Sequence, residues 1–233
     1  MAGGGEANVA NRVFTFEEAD RSPEESLTVS IPEVLEPQYG MYVWPCAVVL
    51  AQYLWTQREQ LRGRAVLELG AGVALPGVVA ARCGSKVILS DLAEAPSCLE
   101  NCRRSCRANG VQDVVVLGLT WGDLSPDLVL LPKLDIILGS DVFYDPEDFE
   151  DVFFSVAFLL RKNPKAQFWT TYQERSADWS VDELLRRWNL SCANIPLDSF
   201  GADKPDLARS ALPGRHHIRM TVVTLGRAEE GTS

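Results

Sequence analysis

Two glycines one residue apart, an aspartate 19 residues beyond them, and a second aspartate three residues before a tyrosine are the groups in this chain best placed to do chemistry. The glycines lie in Val66-Leu67-Glu68-Leu69-Gly70-Ala71-Gly72-Val73-Ala74-Leu75-Pro76-Gly77, where a short apolar run meets a helix-like segment. Glycine lets a backbone bend tightly and approach a ligand closely, and α/β folds use such turns to receive nucleotides. A dinucleotide site spaces its glycines GxGxxG, but here Leu75 takes the third position and Gly77 follows two residues later. That shape suits a ligand without a pyrophosphate. S-adenosylmethionine is one, with a carboxylate, an ammonium and a sulfonium in place of phosphates.

On that reading a helix N-terminus after Gly72 receives the carboxylate, and Glu68 faces the ammonium directly or through water. Asp91 ends the run Val87-Ile88-Leu89-Ser90-Asp91 and has two oxygens for the two ribose hydroxyls. Its competing use is to cap the next helix. Trp121, in Leu119-Thr120-Trp121-Gly122-Asp123, can lay its indole against the base, and Trp44 can fold over from the other side. Ordinary core packing accounts for either tryptophan equally well.

The second constellation is Asp135-Ile136-Ile137-Leu138-Gly139-Ser140-Asp141-Val142-Phe143-Tyr144-Asp145-Pro146. Asp141 and Tyr144 form a D-x-x-Y pair, the candidate catalytic residues, and Asp145, Glu147, Asp148, Glu150 and Asp151 follow. A carboxylate can pair with a guanidinium through two hydrogen bonds and so hold an acceptor nitrogen in line with a sulfonium. Helix N-termini are also enriched in acids, which accounts for some of these residues; Asp141 leads as the orienting group, then Tyr144, with Glu147 or Glu150 behind.

These residues need a frame that brings their turns to one edge. The alternation predicts strands over 65–69, 86–90, 114–117, 134–139 and 166–171, with helices over 46–60, 75–83, 94–109, 148–161 and 181–188 between them. Short apolar strands separated by helices imply a parallel sheet covered on both faces, a doubly wound α/β fold. Residues 191–197 and 218–225 read as an antiparallel hairpin closing the sheet. Upstream, Phe14–Phe16 and Leu27–Ile31 read as short strands about the turn 20–23, with residues 1 to 11 disordered. The expected layout is an extension over 1–35, one domain over 36–227 and a disordered tail over 228–233.

Composition narrows the classes. The 233 residues contain 46% hydrophobic types and no apolar run long enough to span a bilayer, so no membrane role is expected. The six cysteines include no CxxC pair, and Cys98, Cys102 and Cys106 read as a packing stripe on one helix, so no metal site is expected. Free cysteines place the chain by default in the reducing cytosol or nucleus. A net charge of −10 with scattered Lys and Arg argues against direct nucleic-acid binding and suits a basic partner, although acidity also serves solubility alone. His216 and His217 read as a solvated loop pair.

Taken in order, Val43-Trp44, Glu68-Leu69-Gly70-Ala71-Gly72, Leu89-Ser90-Asp91, Thr120-Trp121-Gly122 and Ser140-Asp141-Val142-Phe143-Tyr144 resemble the family-16 methyltransferases. The resemblance spans roughly residues 40–226 and implies a seven-strand class I, Rossmann-like fold with S-adenosylmethionine as cofactor. It implies cofactor contacts at Trp44, Gly70, Ala71, Gly72, Asp91, Trp121 and Ser140, with Asp141 and Tyr144 on the substrate side. It further implies an arginine methyltransferase acting on histones, in nucleus and cytoplasm, with transcription-factor or chaperone partners. Three other readings share part of the pattern: a lysine methyltransferase of a non-histone target, a cofactor-binding scaffold acting in transcription, and, most weakly, an NAD oxidoreductase.

Overall fold

The computed structural model describes residues 9–18, 25–34, 39–175, 181–210 and 217–226. Its elements run β1 (Val9–Phe16), β2 (Leu27–Val34), α1 (Pro45–Thr56), α2 (Arg58–Leu61), β3 (Ala65–Leu69), α3 (Leu75–Arg82), β4 (Lys86–Asp91) and α4 (Pro96–Ala108). There follow β5 (Val115–Gly118), α5 (Pro126–Val129), β6 (Ile136–Ser140), α6 (Phe149–Lys162), β7 (Gln167–Gln173), α7 (Val181–Arg187), β8 (Leu190–Ile195) and β9 (Ile218–Leu225).

The sheet has seven strands in the order β5-β4-β3-β6-β7-β9-β8, and β9 runs antiparallel to both β7 and β8. The first five of these are parallel, as their apolar runs require, and the closing hairpin sits where the alternation ended. Chain order reverses between the neighbours β3 and β6, so their carboxyl ends open onto one crevice. The glycine turn follows β3 and the D-x-x-Y turn follows β6.

The pleat sends successive side chains to opposite faces. Val66, Ile136 and Leu138 join a core shared with α1, α3 and the β1–β2 hairpin. Leu67, Leu69 and Ile137 join the other core, under α6 and α7. The hairpin is longer than its sequence signal: residues 9–11, expected to be disordered, pair with 32–34. Phe14, Phe16, Val29 and Ile31 lie fully within the first core, so the hairpin packs as part of the main body. Its turn at 20–23 and residues 1–8 lie outside the described residues, as does the tail over 228–233.

Two glycines explain how tightly the first βα unit packs. A Cβ on Gly77 would stand 2.2 Å from Leu89 Cδ2 and 2.4 Å from Glu68 Oε2, so only glycine lets α3 settle on the sheet. Close helix-to-strand packing is the job of the third glycine in a dinucleotide turn. Here Gly77 does it from a later position. On α4, Cys98, Cys102 and Cys106 all point inward, and the Cys102 thiol donates to the Gly72 carbonyl at 3.3 Å, so the stripe packs the helix against the glycine turn.

Candidate functional site

A cavity of about 650 Å³ opens at the β3/β6 switch point. Gly70, Ala71 and Gly72 line it together with Trp44, Asp91, Trp121, Ser140, Asp141 and Tyr144, so nine of the ten sequence candidates share one wall or another. Its volume lies within the roughly 300–1,000 Å³ that small-molecule sites enclose.

The turn is built from backbone. Gly70 and Gly72 adopt φ of +58° and +54°, where only glycine is unstrained. A Cβ on Gly70 would stand 2.8 Å from Trp121 Cζ2, so the indole lies directly against the turn. Asp91 ties β4 to that turn: its Oδ2 accepts from the Gly72 N–H at 2.7 Å and its Oδ1 from the Leu92 N–H at 2.8 Å. Burial raises its pKa, and the two amides oppose that rise. Helix α4 starts at Pro96, so Asp91 does not cap it. Each carboxylate oxygen keeps a lone pair for a further donor, as a ribose would need. Trp44 is 40% exposed at the start of α1, on the rim of the cavity.

Glu68 corrects the expectation placed on it. Its side chain is completely buried and does not line the cavity; Oε2 accepts from the Gly77 N–H at 2.9 Å and Oε1 has no partner. The pleat turns residue 68 under α3, away from the cavity. Burial, reinforced by the charge of Asp91, pushes its pKa up to about 8, so the group is mostly protonated at neutral pH. Because Glu68 takes the Gly77 amide, that amide in the first turn of α3 is not open to a ligand carboxylate.

At the other end, Asp141 sits at φ +56° immediately after β6 and is 9% exposed. Its backbone N–H donates to the Thr171 carbonyl at 2.7 Å, which holds the left-handed turn against β7. Its carboxylate, expected to face an acceptor nitrogen, instead holds a guanidinium of its own chain. Arg175 donates through Nη1 to Oδ1 at 2.9 Å and through Nη2 to Oδ2 at 2.6 Å. Beneath the pair lies Cys46 at the start of α1, whose thiol pKa is raised by burial and by the Asp141 charge, so it stays protonated. Tyr144 meets Trp121 edge to face, with ring centroids 6.3 Å apart.

Of the acids after Tyr144, those on the cavity wall are Asp148 and Asp151. Neither Glu147 nor Glu150 lines it: Glu150 accepts from Trp188 Nε1 at 3.0 Å and pairs with Arg187. Asp145 Oδ1 accepts from the Glu147 N–H at 3.1 Å and caps the turn. Asp148 immediately precedes α6 and Asp151 lies in its first turn, three residues on, so both reach the same wall. Burial first, then the neighbouring Asp145, Asp151 and Glu147, raise the Asp148 pKa. Nothing in the local sequence signals Arg175, which meets its partner from 34 residues away. His217 is exposed, with its carbonyl accepting from the Glu174 N–H, and His216 lies outside the described residues.

S-adenosylmethionine fits this donor set. The glycine cradle at Gly70, Asp91 with spare acceptor capacity and two indoles on one cavity match a nucleoside, and among the described residues no cluster of cationic side chains lines it as a polyphosphate would need. Among the described residues no group of three or more His, Cys, Asp and Glu is arranged to hold a metal ion, and no helix is long and apolar enough to cross a membrane.

Comparison with known proteins agrees. A family model described as lysine methyltransferase matches residues 23–182. Histone-arginine methyltransferase METTL23 of Xenopus laevis is 60% identical over 226 residues, covering 97% of this chain and 97% of that protein. Its Homo sapiens counterpart is 59% identical, covering 80% of this chain and 98% of its own. Protein N-lysine methyltransferase METTL21A of Mus musculus is 37% identical over 52% of this chain and 56% of its own. Among solved structures, a glycopeptide N-methyltransferase, MtfA, complexed with S-adenosylmethionine, superposes with a TM-score of 0.54 at 16% identity, covering 77% of this chain and 94% of its own. That likeness shows the class I methyltransferase fold. The chain belongs to methyltransferase family 16, and S-adenosylmethionine is its cofactor.

Proposed function

We propose that this protein transfers methyl groups from S-adenosylmethionine to arginine side chains of a basic protein, with histones as the substrate class. The observation that supports it best is the single cavity joining the glycine turn and Asp91 to Tyr144, Asp148 and Asp151. The relatives named histone-arginine methyltransferase, 59–60% identical over most of the chain, support the choice of acceptor. The net charge of −10 suits a basic tail.

The chain's own groups divide the work. Asp91 would hold the ribose, Trp121 and Trp44 would flank the base, and Gly70–Gly72 would let the backbone come close. Ser140, at the end of β6, lines the same cavity. The bound cofactor supplies a methyl group on a positively charged sulfur. Tyr144 would shape the acceptor end, and the carboxylates of Asp148 and Asp151 would attract a cationic side chain. A guanidinium nitrogen needs little general-base help when its charge is held and its proton leaves late. A lysine ammonium must lose a proton before attack.

Lysine is the second reading, and one observation favours it: Asp148, with its raised pKa, lines the cavity and could take that proton. Nuclear and cytoplasmic residence, and partners among transcription factors or chaperones, belong to the same proposal. Incubation with methyl-labelled S-adenosylmethionine and core histones, followed by hydrolysis to amino acids, tests it. Labelled methylarginine is expected, and labelled methyllysine alone would refute the arginine assignment.

A further inference from the structure

Arg175 is the largest feature of the site that the proposed chemistry leaves unused. It lies two residues beyond the end of β7, with its side chain 26% exposed and its guanidinium on the cavity wall. Besides the two bonds to the Asp141 carboxylate, Nη1 reaches the Phe143 carbonyl at 3.5 Å. One rigid fork thus holds both the side chain that opens the D-x-x-Y turn and the backbone just before Tyr144. The turn needs holding because Asp141 is a non-glycine residue in the left-handed region. A third tie, from the Gln173 N–H to Asp141 Oδ1 at 3.4 Å, comes from the same stretch of chain.

The pairing also changes what Asp141 can do. A carboxylate already satisfied by a permanent cation offers little net charge to a second guanidinium. Among the described residues no basic side chain pairs with Asp148 or Asp151, which therefore present the negative charge at this end of the cavity. We propose that Arg175 is a positioning residue for methyl transfer: by clamping Asp141 and the Phe143 carbonyl it fixes Tyr144 against Trp121, and the acceptor's charge is met by Asp148 and Asp151 rather than by Asp141. The proposal rests on the methyltransferase reading of this cavity and does not depend on which amino acid is methylated.

The test uses the full chain with Arg175→Lys, which keeps the charge and loses the fork, and Arg175→Ala. S-adenosylmethionine affinity is measured by calorimetry and single-turnover methyl transfer on core histones. In both variants the cofactor Kd is expected to stay within about twofold, since Arg175 contacts neither Asp91 nor the glycine turn. The transfer rate is expected to fall about tenfold in Arg175→Lys and further in Arg175→Ala, with millimolar guanidinium restoring part of the Arg175→Ala loss. Hydrogen exchange gives a readout independent of substrate: amides 141–144 of Arg175→Ala should exchange about tenfold faster while those of β6 stay protected.

An unchanged rate with unchanged exchange at 141–144 would overturn the proposal. So would a parallel loss of cofactor affinity, transfer and melting temperature without guanidinium rescue, since that pattern belongs to a purely structural ion pair. If wild-type protein yields methyllysine instead, the arginine assignment fails while the Arg175 effect is still read on that product.

Discussion

The two ends of the cavity are built on different principles. The end proposed for the cofactor is backbone held by neighbours: Gly70 and Gly72 turn the chain, and the Asp91 carboxylate takes the Gly72 amide from 19 residues away in the adjacent parallel strand. The end proposed for the acceptor is a side-chain clamp: Arg175 and Asp141, 34 residues apart, meet only because β6 and β7 are paired. A backbone site tolerates almost no change in residue size. A clamp site tolerates size and fails on charge and fork geometry. Mutations at the two ends should therefore separate cofactor affinity from transfer rate.

The largest effect is expected at Gly70. Gly70→Ala adds a Cβ 2.8 Å from Trp121 Cζ2 at φ +58°, so both the turn and the indole must move. Calorimetry should show S-adenosylmethionine binding weakened about a hundredfold, equivalent to about 2.8 kcal/mol. Asp91→Ala comes next. Losing a charged acceptor that also anchors Gly72 should weaken binding by about ten- to a hundredfold. Binding unchanged in either variant would mean that the nucleoside sits elsewhere.

Asp141→Asn probes the other end. It keeps the shape of the side chain but removes the charge that matches Arg175, so single-turnover transfer should slow by about tenfold while cofactor affinity changes less than about twofold. A loss of affinity larger than the loss of rate would erase the distinction between the two ends.

Glu68→Gln probes the packing beneath the glycine turn. The folded protein holds a proton on Glu68 up to about pH 8, against an ordinary value of 4.5. Between those values the folded state binds a proton that the unfolded chain has released, so stability falls as pH rises through that window and is unaffected by this group below it. Glu68→Gln should flatten that fall in thermal melts taken from pH 5 to pH 8. Cofactor affinity should change by less than about twofold, because the carboxyl faces Gly77 and not the cavity. A large loss of affinity would restore Glu68 as a ligand-facing acid.

The same contrast governs how much was legible in the sequence. The doubly wound sheet, its closing hairpin and the meeting of the glycine turn with Asp91 follow from local pattern, because strand runs, glycine turns and an acid at a strand end are each contained within a few neighbouring residues. Glu68 departs from its expected role for a reason of parity: one residue along a strand reverses the face, and Val66–Leu69 is buried on both, so pattern alone does not show which face meets the cavity. Gly77 stands two residues past the third glycine position, yet α3 starts late enough for its first turn to need a glycine there. Among the acids, position at the start of α6 decided, leaving Asp148 before the helix and Asp151 in its first turn on the cavity and turning Glu150 to Trp188 and Arg187. Arg175 had no local signal, since its role exists only once two strands are paired.

A crystal structure of the full chain with S-adenosylhomocysteine tests the central claim most directly. The ribose hydroxyls are expected on Asp91, the base against Trp121, the sulfur facing Tyr144, and Arg175 still seated on Asp141. A nucleoside bound away from Asp91 and Gly70–Gly72, or Arg175 displaced from Asp141 by the cofactor itself, would contradict it.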